Sequence, residues 1–146
     1  MLRTLFIILL IIFPFKVLAL IEVDITRGNL NPLPVAVSPL SIDENSRVNF
    51  EKLLKKNNIG SEIAIVVENN LKASGLFNPL NKDAFLQSPD IANLKPRFED
   101  WNLIKAQALI TGKVEFVNDK LRVEFRLWDV LAGKEMMALA FTTVPN

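Results

Sequence analysis

The chain has 146 residues, about the length of one domain, and half of them are hydrophobic, enough for a core. Its formal charge is +1, and removing Arg3 and Lys16 with a leader ending at Ala19 leaves 15 basic residues against 16 acidic. A near-neutral chain with scattered charges has no footprint for nucleic acid. The absence of cysteine, histidine and tyrosine removes disulfides, thiolate chemistry, soft-metal ligands and the commonest general base.

The first nineteen residues read as a secretory signal peptide. Arg3 gives a positive start, Leu5 to Phe15 is apolar apart from Pro14, and Val17-Leu18-Ala19 sets small or β-branched residues before a cut between Ala19 and Leu20. The apolar run is shorter than the about 20 residues that span a bilayer. The alternative is a retained leader that anchors an envelope subunit, with Lys16 and the bulky Leu18 against cleavage. Contact with a membrane is expected only through an uncleaved leader.

Ile21-Glu22-Val23-Asp24-Ile25 alternates as a half-buried strand does, and Asn31-Pro32-Leu33-Pro34 reads as a stiff connector. Val35 to Leu40 predicts a short buried strand closed by Pro39, which has no N–H for a sheet ladder. Phe50, Leu53 and Leu54 give a brief helical pattern among Lys52, Lys55 and Lys56, broken at Asn57 to Gly60. The main helix is predicted to start at an N-cap Ser61, to present Ile63, Val66, Val67, Leu71 and Ser74 on one face, and to stop at Gly75.

Leu76 to Leu80 reads as extended, Ala84-Phe85-Leu86 as one helical turn before Ser88-Pro89, and Pro96 as the first turn of a second helix that packs Phe98, Trp101, Leu103 and Ile104. The C-terminal part predicts an antiparallel meander. A two-residue turn at Asn118-Asp119 puts Val117 opposite Lys120, Glu115 opposite Arg122 and Lys113 opposite Glu124. The same register sets Phe116 against Leu121, Val114 against Val123 and Ile110 against Leu127, so opposite charges lie outside and apolar pairs inside. A last strand is predicted from Met136 to Val144. The fold class is therefore α/β: one domain, a mixed sheet with a C-terminal antiparallel meander, flanked by two or three helices.

Ser74-Gly75-Leu76-Phe77, Phe98-Glu99-Asp100-Trp101, Ala106 to Val114 and Val123 to Val130 follow one another behind a signal peptide. In this order they resemble the N-terminal domain of the TolB family, periplasmic components of the Tol-Pal envelope system, over about residues 20 to 144. The resemblance implies a non-enzymatic periplasmic module that supports outer-membrane integrity, cell division and protein import. It also implies that Ile21, Glu22, Val23, Asp24, Ile25, Thr26 and Arg27 bind the C-terminal domain of TolA. An extended segment can do so by adding to an open sheet edge; the plainer alternative is an edge strand of the domain's own sheet. Binding of the lipoprotein Pal belongs to the family's C-terminal β-propeller, which this sequence does not include. The expected division is a signal peptide at 1–19, a partner-binding segment and linker at 20–33, and the α/β domain at 34–146.

No catalytic, cofactor or metal residue stands out. The rival reading, a periplasmic hydrolase working with carboxylates, needs two acids converging across a cleft. Glu99 and Asp100 are neighbours whose side chains diverge on a helix, and they suit its first turn better. Trp101 reads as packing, and Trp128, on the polar side of its strand with Glu124 and Arg126, as a residue that something must cover. Gly112 is expected to make room for the ring of Phe125.

Overall fold

The computed structural model describes residues 31–54 and 58–144. The predicted leader, the strand at Ile21 to Ile25, and Lys55, Lys56 and Asn57 lie outside the described residues. In chain order the elements are β1 (Leu33–Val37), β2 (Ser41–Ile42), α1 (Glu44–Leu54), α2 (Ile59–Ala73), β3 (Phe77–Pro79), a 3-10 turn at Lys82–Ala84, α3 (Pro89–Leu94), α4 (Phe98–Leu103), β4 (Ala108–Val117), β5 (Lys120–Asp129) and β6 (Lys134–Thr143).

The six strands form one mixed sheet ordered β3-β1-β4-β5-β6, with β2 beside β4. β1 runs parallel to both β3 and β4, and the last three strands are antiparallel. Pro39 interrupts the first strand as expected, and pairing with β4 resumes at Ser41 opposite Lys113. The α/β class and the meander match the sequence. The β4–β5 register is the predicted one at every pair, from Val117 opposite Lys120 to Ile110 opposite Leu127. Asn118 and Asp119 both take positive φ, 50° and 59°, the conformation that a tight hairpin turn demands.

The sheet is buried on two faces around β1, which is why Val35-Ala36-Val37 is an unbroken apolar run. On one face Val35, Val37, Leu40, Ala108 and Val114 pack beneath Phe50 of α1 and Ile59 and Ala64 of α2. On the other, Ala36, Leu109, Trp128 and Val130 pack beneath Ala92 of α3 and Trp101 of α4.

Several local expectations are corrected. Among the described residues there are four helices rather than two or three, because Pro89 opens α3 instead of ending a helical turn. The preceding turn is a 3-10 turn at 82–84, capped by the Asn81 side chain accepting from Asp83 N. α4 starts at Phe98, after Pro96, and its Leu103 is 73% exposed rather than core. Leu33 and Pro34 belong to β1 rather than to a connector, with Leu33 opposite Phe77.

The main helix begins two residues before Ser61, with Asn58 at its N-cap. It buries Ile59, Gly60 and Ala64 while Val66 stays 58% exposed, because the helix leans its first turn on the backbone of Leu40. A Cβ on Gly60 would lie 2.1 Å from the Leu40 carbonyl oxygen. Gly60 is therefore contact, not a break. Gly60→Ala is expected to cost about 2 kcal/mol, lowering the melting temperature by about 10 °C in a thermal melt. Gly75 closes the helix at φ 72°, as its position predicted.

Candidate interaction surface

Ile21 to Arg27 and the Ala19–Leu20 cleavage point, the site residues expected from sequence, lie outside the described residues. The described chain leads out from β1, where Leu33 N donates to Leu76 O at 2.9 Å. The TolA-binding expectation therefore has no geometry here.

The polar clusters have structural partners. Asp100 accepts from Arg97 at 2.7 Å and from Gln87 Nε2 at 3.1 Å, and Gln87 also bridges the backbone of Arg97 in both directions. Asp100 thus fastens the start of α4, while Glu99 points outward. Both tryptophans pack. Trp101 meets Phe85 edge-on at 5.0 Å, and Trp128 lies under Phe98 at 5.9 Å with its indole N–H donating to Thr111 Oγ1. α4 is what covers Trp128. Gly112 does lie opposite Phe125, but a Cβ there would strike the Glu124 carbonyl oxygen at 2.2 Å, so backbone rather than a ring needs the space. Among the described residues no three carboxylates are grouped as a metal site would require.

The solvent side of the hairpin carries a charge ladder. Glu124 accepts from Arg126 at 2.9 Å and from Arg122 at 3.0 Å; Arg122 also reaches Glu115, which pairs with Lys113. The Arg126 hydrogen bond, helped by Arg122 and opposed by burial, holds the Glu124 carboxyl below its ordinary pKa. A general acid needs the opposite shift. Because the folded pKa lies below the unfolded one, this stabilisation is complete above the unfolded value of about 4.3 and is lost as pH falls through the folded value. Melts between pH 6 and pH 3 should show a shallower acid loss for Glu124→Gln, which at neutral pH costs less than about 1 kcal/mol.

One apolar opening on the sheet has no local pattern in the sequence. Beside α2, an open groove of about 220 Å³ is lined by Val67, Ile110, Phe125, Leu127, Met137 and Leu139, with Arg126 alongside. α1 and α2 cover β1, β3 and β4, and the face of β5 and β6 continues past them. The last strand was legible as a strand, and Met137, Leu139 and Phe141 on its face stay about half exposed among the described residues. The usable signal is that Met136 to Val144 contains no charged residue.

Comparison with known proteins agrees with this architecture. Residues 21–136 match the TolB amino-terminal domain family. The chain is 80% identical over all 146 residues to the Tol-Pal system protein TolB of Pelagibacter ubique (strain HTCC1062), and it spans 32% of that protein's length. In fold it resembles TolB from Acinetobacter baumannii, with a TM-score of 0.55, 19% identity, and coverage of 78% of this chain and 23% of that one. It also resembles the LpoB C-terminal domain from Escherichia coli, with a TM-score of 0.57, 11% identity, and coverage of 82% and 87%. The match to the family model, the identity with its Pelagibacter member and the mixed sheet with its hairpin register agree: the chain belongs to the TolB amino-terminal domain family.

Proposed function

We propose that the chain is an exported, non-enzymatic interaction module of the Tol-Pal envelope system. It works in the periplasm and binds the C-terminal domain of TolA through Ile21 to Arg27, supporting outer-membrane integrity and cell division. The observation that carries this reading is the family match beginning at residue 21, immediately after the expected leader, together with 80% identity to a Tol-Pal TolB.

The residue chemistry supports the same reading. Ile21, Val23 and Ile25 alternate with Glu22 and Asp24, so an added strand buries one side and offers carboxylates on the other. The segment joins the domain through Asn31-Pro32, ahead of β1. The division is a leader at 1–19, a binding segment and linker at 20–33, and a folded domain beyond. Protein recovered from the periplasm should begin at Leu20; material beginning at Met1 would speak for a retained anchor.

Binding is tested by titrating the TolA C-terminal domain into isotopically labelled chain and following amide shifts. Shifts concentrated in residues 21–27 support the proposal. Shifts confined to the sheet, or none at saturating partner, contradict it.

A further inference from the structure

α3 lies across β2 and β4 against the usual pattern of an amphipathic helix. The residues it buries are Ala92 and Asn93, while Ile91 and Leu94 are 49% and 80% exposed among the described residues. Asn93 is 7% exposed, and its Oδ1 has no hydrogen-bond partner among the described residues. A buried acceptor without a partner opposes this packing, because the same oxygen is solvated once it reaches water. The underside of α3 thus offers the strands a methyl group and an amide left short of a partner.

The two ends of this stretch are fixed far better. Gln87 Nε2 donates to Arg97 O at 2.7 Å and to Asp100 at 3.1 Å, and Arg97 N donates to Gln87 Oε1 at 3.1 Å. The Arg97 guanidinium also pairs with Asp100, in the first turn of α4. Gln87 and Arg97 are therefore held side by side, and residues 88–96 form a loop that stays closed at its base whatever the helix does. Within it Pro89 and Pro96 have no N–H to give, and Ser88 makes no side-chain cap. The helix rests on a few backbone bonds, among them Ala92 N to Ser88 O and Lys95 N to Ile91 O.

We propose that residues 88–96 are a strap that lifts off β2 and β4 as a unit, pivoting on the Gln87–Arg97 clasp, while the sheet and the other helices stay folded. Lifting solvates Asn93 and gives up little apolar burial, so it costs far less than global unfolding. The first turn of the strap also walls a cleft of about 280 Å³, where Pro89 and Asp90 join Leu40, Ser41, Ile42 and Arg47 among the lining residues. Lifting opens that cleft along β2, so the strap gates the approach to this strand. A weak underside and firm anchors do not depend on what covers the outer face of α3. Residues 21–27 take no part, so the inference stands apart from the proposed TolA binding.

Hydrogen exchange of the full chain, followed amide by amide, tests the strap. The amides of Ala92, Asn93, Leu94 and Lys95 should open together, about 100-fold or more as often as those of β4. Their rates should change little in low urea, where the β4 rates climb steeply, because lifting exposes little surface. The Arg97 amide, two residues on, should stay about 10-fold or more slower than that of Lys95, since its bond to Gln87 survives the opening. Asn93→Leu, which keeps a branched side chain without the amide, should slow exchange at 92, 94 and 95 about 10-fold. Exchange at 92–95 as slow as in β4, or with the same urea dependence, overturns the proposal. So does an Arg97 amide that opens with the strap, or an Asn93→Leu variant that exchanges as fast as the parent.

Discussion

Trp101→Ala is expected to cost the domain about 3–5 kcal/mol, the range for removing a buried aromatic. Trp101 is among the largest fully buried side chains, and it seals the face of the sheet on which Ala36, Leu109 and Trp128 lie. It holds Phe85 edge-on and sits one turn from Phe98, the ring that covers Trp128. Its truncation therefore opens a cavity that two neighbouring aromatics share. The indole N–H makes no hydrogen bond among the described residues, so the loss is one of packing. Trp101→Phe should accordingly be much milder, about 1–2 kcal/mol, since it keeps most of the volume. Against a typical total of about 5–15 kcal/mol, the alanine variant loses a large share of the domain's stability. Urea denaturation of the two variants beside the parent checks the ordering; equal losses would mean that the indole N–H matters after all.

What the sequence made legible was whatever two independent signals fixed together. In the 108–129 hairpin, the charged pairs Glu115–Arg122 and Lys113–Glu124 agree with the apolar pairs only in one register, and Asn118-Asp119 supplies the turn that register requires. The C-terminal stop of α2 at Gly75 was equally plain, because glycine there answers a backbone need. Signals that stood alone misled. Ser61 was a good N-cap by type, yet packing of Gly60 on the Leu40 carbonyl pulled the helix start back to Ile59. Leu103 matched the apolar face of its helix, but α4 is only six residues long and buries Trp101 instead. Pro89 reads as an end or a beginning equally well, and only tertiary contact decides.

Of the functional surface, the sequence showed which segment alternates and precedes a proline-bearing link, but not what the folded domain leaves uncovered. The groove between α2 and β6 depends on where two helices come to rest across five strands. That is a property of the assembled sheet and has no local pattern.

Deleting residues 20–27 is expected to abolish TolA binding while leaving the fold nearly unchanged. Among the described residues both hydrophobic clusters begin at Leu33, and the proposed binding segment is expected to add little to them. A segment that binds a partner by strand addition and is held loosely by its own domain would contribute little to global stability, because the cooperative unit is the sheet with its helices. A milder variant, Val23→Asp, puts a charge on the side that the added strand buries and should weaken binding about 30-fold or more.

Calorimetric titration of the TolA C-terminal domain into the intact chain and into the 20–27 deletion, with thermal melts of both, tests the central claim. The account predicts saturable binding to the intact chain, none to the deletion, and melting temperatures within about 2 °C of each other. Unchanged affinity in the deletion would contradict the binding role, and a large fall in its melting temperature would make the segment a structural strand.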